Sequence, residues 1–401
     1  MSIRTAALIA GILGVSTAWG GSPSSLAQQA RSILGANQGV YVEAADGTVL
    51  LSQAAESPVH PASVSKIATT LALLHKFGIE HRFTTVFATT GSISNGTLEG
   101  DLIVETDGDP YFVDENALLV AERLRQAGIQ RVTGRLRTRG ALTFDWDIDQ
   151  DGARLRRALS GGAPAAAWTS VQGLGNSNAV VAAMPAIHFE NSAAAMPTGP
   201  ERQLLIHRSQ PLLSLTKSLN DYSNNIFKPL ADAAGGARAV EALAREDVPA
   251  IMQAEIILGD GAGTDPSNRL SPRVAVTLLR VLERELQLSG HELCDILPVS
   301  GIDEGTLRKR LDGPGEAGHV VGKTGTFGDY GASALIGALA TNERGTVYFA
   351  ILDHDVPVPI ARQRQDRFVR ALLAQFRTRP WNYQPDLRPA VARATVEFVG
   401  L

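Results

Sequence analysis

One helix strongly constrains how this chain can fold. The segment that begins at Lys66 and ends at Phe77 is apolar around nearly its whole circumference, and Gly78 follows it as a helix C-cap. Such a helix belongs inside a protein, so the sequence predicts that the rest of the fold covers it. Lys66 in its first turn is then anomalous, because a buried ammonium costs several kcal/mol unless it is paired or neutral.

A serine accompanies this lysine. Ser63 lies three residues before Lys66, and positions i and i+3 share one face of a helix. A desolvated amine can take the hydroxyl proton, and a helix N-terminus favours developing negative charge, so the pair is typical of an activated nucleophile. The alternative is a capping serine beside a lysine that reaches solvent along its aliphatic stem. The S-x-x-K spacing alone does not decide between them.

Length, charge and residue usage exclude several classes of protein. A chain of 401 residues is long enough for a large core and more than one domain. The net charge of −4 gives no electrostatic case for nucleic-acid binding. Cys294 is the only cysteine and the 8 histidines lack metal-ligand spacing, so we predict no intrachain disulfide, no metal and no cofactor.

The N-terminus has the pattern of a secretory signal peptide. Arg4 precedes an apolar run from Thr5 to Trp19, and Ser25-Leu26-Ala27 resembles a cleavage site. We therefore expect residues 1–27 to be a signal peptide and the mature protein to be periplasmic. An uncleaved anchor is the alternative, and peripheral contact with a membrane stays open.

Periodic patterns predict alternating strands and helices. An Asp-Gly turn separates strands at 40–44 and 48–51, which lead into the Ser63 helix. The segment 141–205 is rich in Ala, Gly, Ser and Pro and has weak periodicity, so we assign it only to an inserted domain and its linkers. Further strands are predicted at 83–90, 102–106, 131–136, 256–258, 331–340 and 347–352, and further helices at 114–127, on both sides of 221–225, at 237–244, from Ser271 onward and at 360–376.

Three short motifs occur in one order. Ser63-Val64-Ser65-Lys66, Ser223-Asn224-Asn225 and Lys323-Thr324-Gly325-Thr326 match the S-x-x-K, S-x-N and K-T-G set of penicillin-interacting serine enzymes. The chain from about Gly39 to Phe376 resembles the low-molecular-mass class C penicillin-binding proteins. This is the D-alanyl-D-alanine carboxypeptidase/endopeptidase family typified by penicillin-binding protein 4. The resemblance also rests on Pro61-Ala62-Ser63, Asp107-Gly108-Asp109-Pro110, Gly259-Asp260-Gly261-Ala262-Gly263, Ser267-Asn268-Arg269-Leu270-Ser271-Pro272 and Leu297-Pro298-Val299-Ser300-Gly301.

The resemblance implies three catalytic residues. Ser63 would be the acylated nucleophile, Lys66 its general base, and Ser223 a relay that protonates the leaving D-alanine. Asp260 has a turn interpretation about as good as a catalytic one. Tyr222 and Tyr330, next to the motifs, are interpreted as packing residues.

The resemblance also implies a substrate-binding set. Asn225 would hold the substrate amide and Lys66, and Lys323 would supply positive potential. Thr324 and Thr326 would hydrogen-bond the terminal carboxylate, while Gly325 would let the substrate backbone approach. The backbone N–H groups of Ser63 and Thr326 would form an oxyanion hole.

The fold implied by the resemblance is α/β (α+β). It is a transpeptidase/β-lactamase-like domain with an antiparallel sheet and flanking helices, interrupted by a smaller inserted domain. The sheet would contain the hairpin of residues 40–51 and the strands at about 320–326, 331–340 and 347–352. We predict a catalytic domain of residues 28–85 plus 209–378, an inserted domain of residues 86–208 and a C-terminal tail of residues 379–401. Residues 396–399 of that tail could add an edge strand.

The implied function is that of a serine-type D-Ala-D-Ala carboxypeptidase that acts on peptidoglycan stem peptides through an acyl-enzyme. DD-endopeptidase activity would be an addition, and β-lactam antibiotics would be covalent inhibitors. A β-lactamase or esterase with the same site, or a catalytically silent peptidoglycan-binding protein, are the alternatives. The run Gly263-Thr264-Asp265-Pro266-Ser267 departs from the Gly-x-Ser-Arg pattern of the family. The short spacing between Lys66 and Ser223 predicts a reduced insert.

Overall fold

The structure is a computed structural model that describes residues 25–174, 185–192, 199–222, 226–328 and 331–399. The helices are α1 (Leu26–Ile33), α2 (Lys66–Phe77), α3 (Asp114–Gln126), α4 (Ala153–Arg157), α5 (Ala165–Gln172), α6 (Leu212–Tyr222), α7 (Phe227–Ala233), α8 (Ala237–Glu246), α9 (Pro272–Leu288) and α10 (Val358–Phe376). The strands are β1 (Gly39–Ala44), β2 (Val49–Gln53), β3 (Thr84–Thr89), β4 (Ser92–Ser94), β5 (Thr97–Glu99), β6 (Leu102–Thr106), β7 (Arg131–Val132), β8 (Leu136–Arg139), β9 (Thr143–Phe144), β10 (Asp147–Ile148), β11 (His188–Phe189), β12 (Arg202–Arg208), β13 (Val320–Phe327), β14 (Ala332–Ala340), β15 (Thr346–Asp353) and β16 (Thr395–Phe398).

An antiparallel sheet forms the centre of the fold, with the strand order β13-β14-β15-β1-β2. Side chains on successive residues of a strand point to opposite faces, and here both faces are buried. Leu335, for example, packs in the core on one face, while its neighbours Ala334 and Ile336 pack in the core on the other. The predicted sheet of the N-terminal hairpin and the three C-terminal strands is confirmed.

Helices cover both faces of this central sheet. The apolar helix α2 packs in the same core as α9 and the sheet, where Ile67, Leu71 and Val274 are almost completely buried. Helices α1 and α10 lie on the opposite face, where Phe368 and Leu372 are buried. Ser271 caps α9 by accepting a hydrogen bond from the amide of Val274 at 3.2 Å. The predicted α/β fold class is confirmed.

A second body of structure has its own hydrophobic core. It contains a five-stranded sheet of order β16-β12-β3-β6-β8 and a four-stranded sheet of order β11-β7-β5-β4. Helix α3 packs there through buried residues such as Ala121 and Leu124. The C-terminal strand β16 completes the larger sheet by pairing with β12. The boundaries proposed for the inserted domain stay a prediction.

Two local predictions are wrong. Residues 256–258 do not form a strand, because only Ile257 pairs, in an isolated bridge with Arg269, and the turn at Gly259 begins directly afterwards. Residues 131–136 are not one strand. Arg131 and Val132 pair with β5 and β11, and the chain then breaks before β8 pairs with β6.

Most of the predicted signal peptide lies outside the described residues. Within the described ranges, no helix has the length and apolar character needed to cross a membrane. Helix α1 begins at Leu26, which is buried against the central sheet, and Ser25 caps it. Cleavage after Ala27 would remove this cap and this buried side chain, and the cleavage position stays a prediction.

Candidate active site

Ser63 and Lys66 lie at the junction of a 3₁₀ turn and a buried helix. Residues Ala62–Ser65 form the turn, and Lys66 is the first residue of α2. The Lys66 ammonium donates to Ser63 Oγ at 2.7 Å and also to the carbonyl of Ala262. Ser63 is partly exposed, whereas Lys66 is 0% exposed. A solvent-facing nucleophile therefore rests on an amine removed from water.

Burial changes the acid–base chemistry of Lys66. Desolvation lowers its pKa to about 7, since the charged form loses its hydration; the negative charge of Asp260 partly offsets this effect and Lys228 adds to it. The amine lies 5.5 Å from the centre of the Phe227 ring, which helps exclude water on that side. Near neutral pH a substantial share of Lys66 is therefore uncharged and able to accept the proton of Ser63.

A strained residue holds the turn in place. Ala62 has φ +47°, in the left-handed region, directly before Ser63. Its amide donates to His60 Nδ1 at 3.1 Å, so the ring proton lies on Nε2, which donates to the carbonyl of Asp265 at 3.0 Å. The His60 ring also stacks on Phe327 at 4.3 Å. Burial lowers the pKa of His60, consistent with a neutral ring that positions the backbone at Ser63.

The glycine-rich loop 259–264 presents a carbonyl to Lys66. Asp260 organises this loop: its carboxylate accepts from the amide of Gly263 at 2.8 Å and from Asn268 Nδ2 at 3.0 Å. Although burial raises the pKa of Asp260, its hydrogen bonds with Thr264, Asn268 and Gly263 lower it to about 2. Asp260 is thus a permanent anion that orients the loop and influences Lys66 from a distance.

The Lys323-Thr324-Gly325-Thr326 motif forms the outer half of the edge strand β13. This strand passes directly over the Ser63 turn: a Cβ at Gly325 would lie 2.6 Å from the carbonyl oxygen of Pro61. Only glycine permits this approach. The first and third motifs therefore lie against each other, beside Ser63.

Lys323 is completely buried. Its ammonium donates to the carbonyl of Thr324 at 3.2 Å, and no carboxylate of the described residues lies within 4.0 Å of it. Desolvation and the nearby charge of Lys66 lower the pKa of Lys323 well below the usual value, while Asp221 has the opposite effect. Thr324 is buried and Thr326 is exposed at the end of the strand.

The second motif, Ser223-Asn224-Asn225, lies outside the described residues, and so does Tyr330. Its flanking residues lie at the site. Phe227 contacts the Lys66 amine, and Asp221 influences Lys323. Burial raises the pKa of Asp221 to about 7. The roles expected of Ser223 and Asn225 stay predictions.

Several residues at this site were not assigned roles from the sequence. The neutral His60 ring accepts a hydrogen bond from the amide of Ala62 and stacks on Phe327. The carbonyl of Ala262 accepts a hydrogen bond from Lys66, and Arg362 donates to Thr326 Oγ1 at 2.8 Å. None of these lies in a recognisable spacing with the motif that it contacts. For Asp260 the sequence does not decide between a turn role and a catalytic role, although the glycine-rich run around it is typical of a tight loop. Among the described residues, no group of His, Cys, Asp or Glu side chains could hold a metal ion.

Comparison with known proteins decides the family. A model of the D-Ala-D-Ala carboxypeptidase 3 (S13) family matches residues 23–150 and 191–375, well over half of the chain. The chain belongs to this family. As an S13 family member it is a serine-type peptidase, and the resemblance to class C penicillin-binding proteins is confirmed.

Solved structures share the fold of this S13 member. The predatory endopeptidase Bd3459 of Bdellovibrio bacteriovorus, acylated by penicillin G and in complex with the immunity protein Bd3460, has a TM-score of 0.77 at 22% identity, with 90% of this chain and 99% of that chain covered. The endopeptidase Bd0816 of the same organism has a TM-score of 0.69 at 22% identity, over 90% of this chain and 99% of that chain. Penicillin-binding protein 4 of Haemophilus influenzae, in complex with a β-lactam, has a TM-score of 0.59 at 19% identity, over 87% of this chain and 98% of that chain.

Proposed function

We propose that this S13 member hydrolyses the terminal D-Ala-D-Ala bond of peptidoglycan stem peptides through an acyl-enzyme on Ser63. One observation carries the proposal. The Lys66 amine lies 2.7 Å from Ser63 Oγ, at a position where burial brings its pKa to about 7. A neutral amine at hydrogen-bond distance from a partly exposed hydroxyl is the arrangement that nucleophilic catalysis requires.

The proposed reaction has two halves. In the first, Ser63 Oγ attacks the carbonyl carbon of the penultimate D-Ala while Lys66 takes its proton, and the C–N bond breaks as the leaving D-Ala nitrogen is protonated. In the second, water attacks the ester, releasing the shortened peptide and regenerating Ser63. We assign the protonation of the leaving nitrogen to Ser223 and the substrate amide contact to Asn225, as the family resemblance implies.

Polar groups of the Ser63 turn and of strand β13 would bind the rest of the substrate. The backbone N–H groups of Ser63 and Thr326 would stabilise the tetrahedral oxyanion, a contribution of about 3 kcal/mol for each such donor. Gly325 lets the edge strand β13 lie close to the Ser63 turn, because Pro61 and Ala62 occupy the space that a Cβ at this position would fill. The hydroxyls of Thr324 and Thr326 would accommodate the terminal carboxylate.

Endopeptidase activity is a second candidate. Two of the similar solved structures are described as predatory endopeptidases, with TM-scores of 0.77 and 0.69. The same acyl-transfer chemistry would cleave the D-Ala-meso-diaminopimelate cross-link, because that bond also lies next to a free carboxylate. Both substrates occur in the periplasm, where we place the protein on the basis of its N-terminal pattern.

The first experiment tests the nucleophile. The purified full-length chain is incubated with fluorescent penicillin, and the labelled peptide is identified by mass spectrometry. We expect one adduct, on Ser63, which Ser63→Ala abolishes; Ser65→Ala, two residues away in the same turn, should retain it. The absence of a Ser63 adduct in the unmodified chain would rule out the proposed mechanism.

A second experiment separates the candidate substrates. The chain is incubated with purified sacculi, and muropeptides are followed by mass spectrometry. Loss of pentapeptides indicates carboxypeptidase activity, and loss of cross-linked dimers indicates endopeptidase activity. Faster turnover of a cephalosporin than of diacetyl-lysyl-D-Ala-D-Ala would instead favour a β-lactamase. No muropeptide change would favour a catalytically silent binding protein.

A further inference from the structure

Arg362 lies at the outer end of the active-site strand. It belongs to the N-terminal part of α10 and is exposed, and its guanidinium Nη2 donates to Thr326 Oγ1 at 2.8 Å. Helix α10 packs on the face of the central sheet opposite α2, through Phe368 and Leu372. Arg362 therefore reaches Thr326 from the face of the sheet opposite the helix that begins at Lys66.

No carboxylate of the described residues neutralises this arginine within 4.0 Å. Asp366 lies one turn further along α10, but it forms an ion pair with Arg310, whose Nη2 lies 2.6 Å from Asp366 Oδ1. Arg310 also donates to the Gln365 side chain at 2.9 Å. These contacts fix this turn of α10 and leave the exposed Arg362 guanidinium with no carboxylate partner among the described residues. Such an exposed cation is available to an anion from outside the protein.

The other cation of the groove is differently placed. Lys323 is 0% exposed, and its ammonium is directed to the carbonyl of Thr324. Its burial and the proximity of Lys66 both disfavour its charged form. Arginine keeps its proton under all ordinary conditions and offers a planar pair of donors that matches a carboxylate. Arg362 is thus the dependable positive charge next to Thr326.

We propose that Arg362, together with Thr326, binds the free C-terminal carboxylate of the substrate and makes the site selective for ligands that carry one. This inference rests on the function proposed above, and it assigns the main counter-charge to α10 rather than to the K-T-G lysine. Arg362 is a specificity-determining residue in this scheme and takes no part in proton transfer.

The test compares charged and neutral forms of one ligand. Acylation rate constants are measured with penicillin G and with its methyl ester, for the unmodified chain and for Arg362→Ala, Arg362→Lys and Arg367→Ala. Arg367 is a matched control, because it is exposed on the same helix and its removal changes the net charge equally. Thermal unfolding of each variant verifies that it is folded.

We expect Arg362→Ala to lower the rate with the free acid by at least about tenfold and the rate with the ester by less than about twofold, because only the acid loses a charge-assisted contact. Arg362→Lys should restore part of the acid rate, and Arg367→Ala should change neither. Equal losses with acid and ester, or no loss with either, would overturn the inference while leaving the proposed function intact. Failure of the unmodified chain to form any Ser63 adduct would overturn both.

Discussion

Lys66 illustrates how a destabilising residue can serve chemistry. The lysine is 0% exposed and has a pKa of about 7, so the fold holds an amine where its charged form is disfavoured. The cost is reduced by the carbonyl of Ala262 and by the negative field of Asp260. The residue is thereby kept near the protonation state that a base needs at neutral pH.

Replacing this amine should slow acylation strongly and leave the fold intact. We expect Lys66→Ala and the shape-matched Lys66→Met each to slow acylation by fluorescent penicillin about 10²- to 10⁴-fold, the range for loss of a general base. Gel-based rate measurements check the loss, and circular dichroism checks that the variants are folded. Acylation at the normal rate in both variants would remove Lys66 from the base role.

The pH dependence of acylation should follow the same amine. Lys66 accepts a proton only when neutral, so the rate should rise with pH to a midpoint near 7 and fall about tenfold per pH unit well below it. Because Asp260 favours the protonated form, Asp260→Asn should move the midpoint to lower pH. Stopped-flow rates between about pH 5.5 and pH 8.5 measure this shift. A profile that is flat, or that moves to higher pH in the variant, would contradict the assignment.

At the residue scale, the sequence was informative where chemistry depends on local spacing. Ser63 and Lys66 are three residues apart, and the K-T-G run needs no partner to be recognised. His60 and Arg362 could not be predicted, because each depends on contacts that only the folded chain creates. The His60 ring contacts Asp265 and Phe327, and Arg362 contacts Thr326 from a distant helix.

At the scale of elements, the Ser63 turn and the loop 259–264 depend on each other. Gly263 has φ +79°, and a Cβ there would lie 2.0 Å from the carbonyl oxygen of Ala62. The loop that presents the Ala262 carbonyl can therefore approach the turn only because residue 263 has no side chain.

Gly263→Ala should disturb both stability and acylation. The left-handed backbone alone should cost about 1 kcal/mol, and the clash with Ala62 should bring the total to about 3 kcal/mol or more. Gly290→Ala is the control, because φ is +77° there but nothing lies within 4 Å of the added Cβ. Denaturant unfolding and penicillin labelling measure the two effects. Equal destabilisation of the two variants, with labelling retained in both, would show that the close approach is unimportant.

Elements with a long apolar run were predictable, and those defined by tertiary pairing were not. The central strands β14 and β15, which are buried almost throughout, and the apolar helix α2 carry their burial in the sequence. Residues 256–258 look like a strand by composition, yet only Ile257 finds a partner. The segment 141–205 contains helices α4 and α5 and short strands whose two-residue pairings leave no periodic signal.

At the scale of the whole molecule, the C-terminal segment returns from the body that contains the central sheet to the second body and adds a strand to its larger sheet. Strand β16 pairs with β12, with Phe398 opposite Leu205 and Val396 opposite His207. The last residues thus complete a sheet whose other strands come from residues 84–208, although the intervening chain builds the central sheet.

Removing this strand should affect one body and spare the other. Deletion of residues 394–401 should expose the edge of β12, speed hydrogen exchange of its amides and lower the midpoint of thermal unfolding by a few degrees, roughly 1 kcal/mol. Ser63 acylation should persist, because the deletion removes no residue of the central sheet. Deletion of residues 400–401, which leaves β16 intact, is the control. Unchanged exchange at β12, or lost acylation, would contradict this division.

The first central strand also has consequences for how the molecule assembles. β1 pairs on one side with β2, which follows it closely in the sequence. On its other side it pairs with β15, where Gly39 lies opposite Leu352. Contacts so remote in sequence form late and slowly, because a long loop must close first. The strand that carries Lys323 joins the sheet through the same C-terminal hairpins. A nascent or truncated chain would therefore carry Ser63 and Lys66 without a groove around them, and hydrolytic competence would arise only as the final stage of maturation.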